Sequence, residues 1–331
     1  MMGIPLAAVI IIIIALAFEF INGFHDTANA VATSVSTRSL EPFQAIGVSA
    51  VFNLIGALSG TAVAVTIAKG FADPVLATDV VILSALLAAI TWNLITWTFG
   101  IPSSSSHALI GGLVGAIAFN SGFATINYAG LIHKVLLPMV VSPVLGFFIA
   151  GFIAVGLSRL LQNNKEPRKT NNKIREIQVI STAFLSFSHG ANDAQKTMGI
   201  ITLTLFNFHI INSVNVPEWV IFACALCMAL GTMFGGVKII KTLSTRVAKL
   251  KPASGFAAEI SSATLLFVGA KLGMPLSTTH AVSGSIMGAG TTSKFGLNWS
   301  VVRSMVIAWV LTFPICALVA GLFLHIIHIF W

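Results

Sequence analysis

Long apolar runs follow one another along the chain with few polar interruptions. Most of them are long enough to cross a hydrocarbon core of about 30 Å, which takes about 20 residues of helix. They are apolar on every face rather than alternating with period two, which favours membrane helices over a β-barrel. The runs cover roughly residues 4–21, 43–68, 75–99, 107–119, 134–157, 177–205, 217–237, 254–272, 279–291 and 301–330.

Composition agrees with this pattern. Of the 331 residues, 56% are hydrophobic and 8% are charged, and the mean hydropathy is +0.95. So few charges would not keep a globule of this size in solution. The first run has no Lys or Arg ahead of it and leads into a polar segment, so we expect no cleaved signal peptide. The sequence therefore predicts an all-α polytopic membrane protein.

Two short polar motifs each occur twice. The first cassette, residues 22–29 (NGFHDTAN), matches the second cassette, residues 189–196 (HGANDAQK), at an offset of 167 positions. Residues 100–108 (GIPSSSSHA) match residues 273–281 (GMPLSTTHA) at an offset of 173 positions. Repeats of this size, interrupted by Gly, Pro and hydroxyl residues, are typical of transporters with a shared central site.

The repeats are predicted to have inverted topology. The first half crosses the membrane three times if residues 79–119 form a re-entrant hairpin and five times if they form two spans, and either odd count inverts the second half. We therefore expect a first repeat over residues 1–158, a flexible cytoplasmic linker over 159–176 and a second repeat over 177–331.

The basic residues agree with this topology. With both termini outside the cell membrane, cytoplasmic loops hold most of the 18 Lys and Arg residues, as the positive-inside rule requires. The net charge of +8 is thus a topology signal, and no nucleic-acid surface is predicted. The basic loop positions are Arg38, the Lys and Arg residues of 159–175 and of 238–251, Lys294 and Arg303.

The second pair of motifs predicts two re-entrant hairpins, within residues 79–119 and 254–291. Pro102 and Pro275 end one arm of each hairpin, and short apolar arms follow. Small residues in these short arms allow close helix packing. Entering from opposite sides, the two tips would meet at the membrane midplane.

Asp26 and Asp193 are the candidate cation positions. An ionisable side chain at bilayer depth costs at least about 2.5–3.5 kcal/mol, so such a residue usually has a function. Each aspartate follows a glycine and amide side chains, which predicts a helix that breaks in mid-membrane and offers oxygen ligands. The alternative is an aspartate that only caps a half-helix, but the same residue at the same place in both halves disfavours it.

The hydroxyl-rich hairpin tips have the complementary chemistry. An oxyanion presents only acceptors, and hydroxyls with free N–H groups at a helix N-terminus supply the donors it needs. A water-facing Ser-rich loop would explain one tip but not two in inverted copies. The candidate anion positions are residues 103–106 and 277–279.

These paired motifs resemble the signatures of the inorganic phosphate transporter (PiT) family, over nearly the whole chain. Phe24 and His25 replace the Ala and Asn usual in the first signature, and this variant is similar to the bacterial low-affinity branch. The resemblance implies symport of inorganic phosphate with H⁺ or Na⁺, often as a metal–phosphate complex such as one with Mg²⁺, and a homodimer. It implies phosphate binding by Ser104, Ser105, Ser106, Ser277, Thr278 and Thr279, and coupling-ion positions at Asn22, His25, Asp26, Asn29, Asn192 and Asp193.

Several alternatives stay open. His25 favours proton coupling because imidazole titrates near neutral pH, but sodium coupling, a sulfate permease or an anion channel is also compatible with the motifs. An intramembrane serine protease is disfavoured because every element is duplicated, and no enzyme cofactor or resident metal is predicted. His107 and His280 are expected to buttress the tips. Glu19 and Glu259 are further candidates for ion coupling or for buried pairing.

Overall fold

The computed structural model describes residues 5–293 and 296–330. Lys294, one of the basic residues on which the predicted topology depends, lies outside them. In the first half the helices are α1 (Leu6–Ser36), α2 (Pro42–Ala57), α3 (Ala62–Lys69), α4 (Asp79–Phe99), α5 (Ser105–Ser121), α6 (Tyr128–Leu131) and α7 (Leu137–Leu160). In the second half they are α8 (Pro167–Asn207), α9 (Glu218–Phe234), α10 (Val237–Lys241), α11 (Pro252–Lys271), α12 (Thr278–Gly290) and α13 (Trp299–Phe330).

The helices have the lengths and apolar surfaces of membrane spans. In the described part of the chain, 5 helices are long and apolar enough to cross a bilayer alone. The number of candidate spans rises to 7 if two bent helix pairs each count as one span. One pair joins α2 to α3 at 68°, and the other joins α9 to α10 and the turn that follows at 66°. The predicted all-α membrane fold with broken helices is confirmed; its sidedness stays a prediction.

The helix breaks at the two hairpin tips lie where the sequence predicted them, but those expected in the cassettes do not. Both cassettes lie within continuous helices, α1 and α8, so the expected break beside Asp26 and Asp193 is wrong. The cassette glycines serve close packing instead. A Cβ atom on Gly23 would lie 2.5 Å from the Met228 carbonyl oxygen of α9, and one on Gly190 would lie 2.1 Å from the Asn53 carbonyl oxygen of α2.

The two halves pack against each other reciprocally. Helix α5 packs on α13 and helix α12 packs on α7, so the short arm of each hairpin lies against the last helix of the other half. Glycines make both contacts possible: Gly115 lies against Ala317, and Gly288 lies against Phe147. A Cβ atom at Gly288 would come within 1.9 Å of the Phe147 carbonyl oxygen. The close packing predicted for these arms is thus present.

The polar segment between the halves is partly helical. Helix α7 ends at Leu160 and α8 begins at Pro167, so much of the predicted flexible linker 159–176 forms the first turns of α8. Proline suits this first turn because its missing N–H would have no intrahelical partner there. Arg175 connects these first turns of α8 to the end of α1, because its Nε donates to the Thr37 carbonyl oxygen over 3.1 Å.

Candidate functional site

The two hairpin tips meet inside the helix bundle. The Thr279 hydroxyl of the second hairpin donates to the Ser103 carbonyl oxygen of the first, over 3.0 Å. Lys196 of α8 donates to the Leu276 carbonyl oxygen at the second tip, over 2.9 Å. This contact between the tips is the one that the duplicated motifs predict.

One hydroxyl of each tip caps the helix that follows. The Ser104 hydroxyl accepts from the His107 N–H over 3.2 Å, and the Ser277 hydroxyl accepts from the His280 N–H over 3.3 Å. Both serines are N-caps in extended conformation, as N-cap residues prefer. The caps start α5 and α12 inside the bundle, so the N-termini of both helices face the space between the cassettes.

Asp26 contacts the hairpin of its own half and the preceding histidine. Its Oδ2 accepts from the Ser105 hydroxyl over 2.6 Å, and its Oδ1 lies 2.7 Å from His25 Nδ1. The same Ser105 hydroxyl also lies 2.6 Å from Asn22 Oδ1. One hydroxyl proton cannot serve both acceptors fully, so Ser105 is free to turn towards a ligand at little cost.

Asp193 has a permanent cationic partner. The Lys196 ammonium, one turn further along α8, forms a close ion pair with its Oδ1. The Thr278 hydroxyl donates to Oδ2 over 3.0 Å, and His189 Nε2 lies 3.2 Å from the same oxygen. A buried ion pair of this kind needs further hydrogen bonds to offset its desolvation, and the Thr278 hydroxyl supplies one to Asp193.

The last cassette residue of each half reaches the hairpin of the other half. Asn29 Nδ2 donates to the Thr279 hydroxyl over 3.0 Å, and Lys196 Nζ donates to the Ser106 hydroxyl over 2.5 Å. Asn29 and Lys196 occupy matching positions, and so do Ser106 and Thr279. The repeated sequence therefore produces a repeated contact pattern that joins the halves.

These contacts place both cassettes and both tips in one closed site. Ligand atoms of Asp26, His189 and Asp193 all lie within 4.8 Å of one another. The twelve residues implied as phosphate or coupling positions are each at most 2% exposed. A buried cluster of carboxylates, imidazoles, one ammonium and hydroxyl donors can bind the oxygens of an anion together with protons or a cation.

Both imidazoles are fixed by further side chains. His25 Nε2 lies 3.1 Å from the Thr96 hydroxyl of α4. His189 Nδ1 lies 3.0 Å from Asn53 Oδ1 of α2, and Asn53 in turn donates to the Thr232 hydroxyl of α9 over 3.0 Å. His25 Nδ1 is thereby directed at Asp26, whereas His189 Nε2 lies 3.2 Å from Asp193 Oδ2 and has no hydrogen-bond partner among the described residues.

The structure brings together all of the predicted residues except Asn192, which lies to one side. Its Nδ2 donates to the Met274 carbonyl oxygen over 3.1 Å at the second tip, and its Oδ1 has no partner in the described part of the chain. The sequence analysis did not place His189 or Asn53 in the site. His189 lies four residues before Asp193, and therefore on the same face of α8, which was a signal in the sequence. Asn53 is an amide within an apolar run, which is a weaker signal in the sequence.

The remaining candidates lie around this centre. The His107 and His280 rings pack against each other with centroids 4.7 Å apart, which agrees with a buttressing role behind the caps. Glu259 accepts hydrogen bonds from Gln178 and from three hydroxyl residues on α1 and α8. Glu19 accepts from Thr197 and has the Asn22 side chain as a further polar neighbour, while its Oε1 has no hydrogen-bond partner among the described residues.

A duplicated site that is buried between two matched halves of a helical membrane fold is the arrangement of a secondary transporter rather than an enzyme. Residues 22–320 match the phosphate transporter family. The chain belongs to that family.

Its relatives include several bacterial proteins named as probable low-affinity inorganic phosphate transporters. The Bacillus subtilis protein is 47% identical over 97% of each chain, and the Rhizobium meliloti protein is 45% identical over 94% of each. The Mycobacterium tuberculosis H37Rv protein is 42% identical over 96% of this chain and 77% of its own. The solved structure of a sodium-dependent phosphate transporter has a TM-score of 0.88 and 25% identity, covering 98% of this chain and 100% of that one.

Proposed function

We propose that this chain is a secondary active symporter of inorganic phosphate in the cell membrane, coupled to protons and working by alternating access. One observation carries the proposal: each of the two central carboxylates has an imidazole within hydrogen-bonding distance, 2.7 Å for His25–Asp26 and 3.2 Å for His189–Asp193. Imidazole takes up and releases protons in the physiological pH range, which amides and hydroxyls do not.

Phosphate would be held by the hydroxyls of the two tips. The Ser105 and Thr278 hydroxyls, which now donate to Asp26 and Asp193, would turn towards the phosphate oxygens. The N-termini of α5 and α12 would add backbone N–H donors and a favourable dipole. The other implied phosphate ligands are Ser104, Ser106, Ser277 and Thr279.

Charge balance gives the reason for coupling. With Asp26 and Asp193 ionised and Lys196 protonated, the site carries a net charge of about −1 before phosphate enters. A bound phosphate dianion would make the net charge of this buried site about −3, which is prohibitively costly. Protonation of His25 and His189 adds two positive charges, so phosphate and protons bind more readily together than separately.

The same space suits a metal–phosphate complex as cargo. Asp26, His189 and Asp193 converge within 4.8 Å, which is the spacing of ligands around one divalent ion. A neutral complex would bring its own two positive charges and replace the two protons. Dependence of uptake on Mg²⁺ would distinguish this cargo from the free anion.

Sodium coupling is the second candidate. The Glu259 carboxylate lies among hydroxyl groups and the Gln178 amide, with Thr33 Oγ1 at 2.6 Å and Gln178 Nε2 at 3.0 Å, and carboxylate and hydroxyl oxygens are ligands that small hard cations prefer. The solved relative with 25% identity is a sodium-dependent phosphate transporter. In this chain, however, an imidazole nitrogen also lies close to each central aspartate.

The test is uptake of radiolabelled phosphate into proteoliposomes under an imposed inward proton gradient or an inward sodium gradient, at fixed voltage, with and without Mg²⁺. Proton-driven accumulation that is lost in both Asp26→Asn and Asp193→Asn is the expected result. Accumulation driven only by sodium would retain the phosphate site and overturn the proton assignment. Unchanged preference for phosphate over sulfate in both variants would overturn the role of the carboxylates as acceptors for the phosphate hydroxyl.

A further inference from the structure

Glu19 is a third carboxyl group beside the central site, and the proposed function does not use it. It lies on α1 seven residues before Asp26, with Asn22 between them, so all three share one face of the helix. Seven residues of helix rise about 10 Å, which places Glu19 between the site and the N-terminal end of α1.

The carboxyl group is fully buried and only half satisfied. Glu19 is 0% exposed. The Thr197 hydroxyl of α8 donates to Oε2, and Oε1 has no hydrogen-bond partner among the described residues. The charged or titratable groups that face it are Lys196 and Asp193 on α8 and Cys224 and Cys227 on α9.

In the part of the chain that the structure describes, no cation forms an ion pair with Glu19. Lys196 is the nearby ammonium, but its three donors are already directed to Asp193, the Ser106 hydroxyl and the Leu276 carbonyl oxygen. An ionised carboxylate with one unpartnered oxygen in such surroundings is strongly disfavoured. The neutral, protonated form is the one that this arrangement supports.

Glu259 shows that full burial alone does not decide the matter. It is also 0% exposed, yet its two oxygens accept from four side chains: Thr33, Gln178, Ser181 and Thr182. Several donors stabilise a carboxylate in its ionised form. The two buried glutamates therefore differ in what surrounds them, and Glu19 has fewer donors to stabilise an ionised form.

We infer that Glu19 binds a co-transported proton and controls the phosphate site through Lys196. When Glu19 is neutral, Lys196 stays with Asp193 and Ser106, and the site is intact. When the proton leaves to water, the new negative charge competes with Asp193 for the ammonium and withdraws it from the hairpin tip. Phosphate then binds well only while Glu19 is protonated, and this dependence couples phosphate transport to proton transport. This inference rests on the proposed proton-coupled function.

The test uses Glu19→Gln, a neutral isostere of the protonated acid, in proteoliposomes. We expect phosphate exchange at equal phosphate on both sides to continue and to depend less steeply on pH than in the unmodified chain. Accumulation driven by a proton gradient should fall at least about tenfold. Glu218→Gln, the same change at an exposed position of α9, is the matched control and should behave as the unmodified chain.

A second variant keeps the inference testable if Glu19→Gln does not fold. Thr197→Val keeps the shape of the side chain but removes the hydroxyl that stabilises ionised Glu19. The pH midpoint of phosphate exchange should move upward by about one unit, a tenfold change in proton affinity. An unmoved midpoint would overturn the inference.

The outcomes also separate this inference from the proposed function. If the unmodified chain accumulates phosphate with a proton gradient and Glu19→Gln does so equally well, only the role of Glu19 is overturned. If the unmodified chain exchanges phosphate but never accumulates it with a proton gradient, the proton coupling itself fails, and the role of Glu19 fails with it.

Discussion

The two cassettes occupy matching places in the fold but carry different charges. Asp26 and Asp193 are identical, and each accepts a hydrogen bond from the hairpin of its own half. The flanking positions differ. The second cassette has a lysine where the first has Asn29. The two cassettes also place their histidines differently: His25 is adjacent to Asp26, whereas His189 lies one helical turn before Asp193.

This difference shows that the two repeats share the positions of their contacts but not the charges of the side chains that make them. Asn29 and Lys196 make the same kind of contact with the opposite hairpin, yet only Lys196 brings a charge. The second cassette therefore contains an aspartate–lysine ion pair, whereas in the first the carboxylate is paired with the neighbouring His25 imidazole. We expect the second cassette to anchor the site.

The largest effect that separates the cassettes should come from their aspartates. Both Asp26→Asn and Asp193→Asn should abolish accumulation, but Asp193→Asn also leaves Lys196 buried without its carboxylate. Losing one partner of a buried pair costs about 3–5 kcal/mol, so Asp193→Asn should lower stability much more than Asp26→Asn. Thermal unfolding in detergent, measured beside uptake, checks this. Equal destabilisation by the two variants would contradict the anchoring role of the second cassette.

Exchanging the matched positions tests whether the charge or its place matters. Lys196→Asn alone should lose most phosphate exchange because the ion pair and the Ser106 contact both disappear. The double variant Asn29→Lys, Lys196→Asn moves the ammonium to the matching place, 3.0 Å from Thr279 in the native contact. We expect it to recover exchange by roughly tenfold over Lys196→Asn, a coupling of about 1.4 kcal/mol. No recovery would show that the two places are not equivalent.

The two histidines should differ in what they control. His25→Asn places the residue usual in the family beside Asp26, and we expect phosphate exchange to persist while its pH dependence flattens. His189→Asn should weaken phosphate binding by roughly fivefold to tenfold, because it removes a neighbour of the Asp193 ion pair and the hydrogen bond to Asn53. Exchange rates measured between pH 5 and 8 check both. A pH profile unchanged in His25→Asn would remove His25 from proton coupling.

The hairpin hydroxyls should produce the smallest effects. Ser106→Ala and Thr279→Ala each remove one hydroxyl that bridges the halves, and a single hydrogen bond contributes about 0.5–1.5 kcal/mol, so KM should rise roughly twofold to tenfold. Ser106→Ala should be the more costly of the two, because its partner is the Lys196 ammonium rather than the Asn29 amide. Initial rates of uptake against phosphate concentration measure this. The opposite ranking would contradict the assigned asymmetry.

Much of this site was predictable because its motifs occur twice in the sequence. The duplicated Asp26 and Asp193 and the duplicated hydroxyl tips indicate one shared site without any structural information. The contact between Thr279 and the Ser103 carbonyl oxygen agrees with that prediction. The helix breaks expected in the cassettes were misplaced because a glycine permits both a kink and a close helix contact, and only the neighbouring helix decides which one it serves. Gly23 and Gly190 lie against Met228 and Asn53, and both helices stay continuous.

The sequence by itself determined the helical membrane fold, the repeat and the residue types of the site, because periodicity and composition are local properties of the chain. Only the tertiary structure decided which side chains pair. It assigned Lys196 to Asp193, His189 to Asn53, and four donors to Glu259 but one to Glu19. The physical reason is that hydrogen bonding and neutralisation of a buried group depend on residues more than 100 positions away as well as on its neighbours, and their approach is set by packing rather than by spacing along the chain.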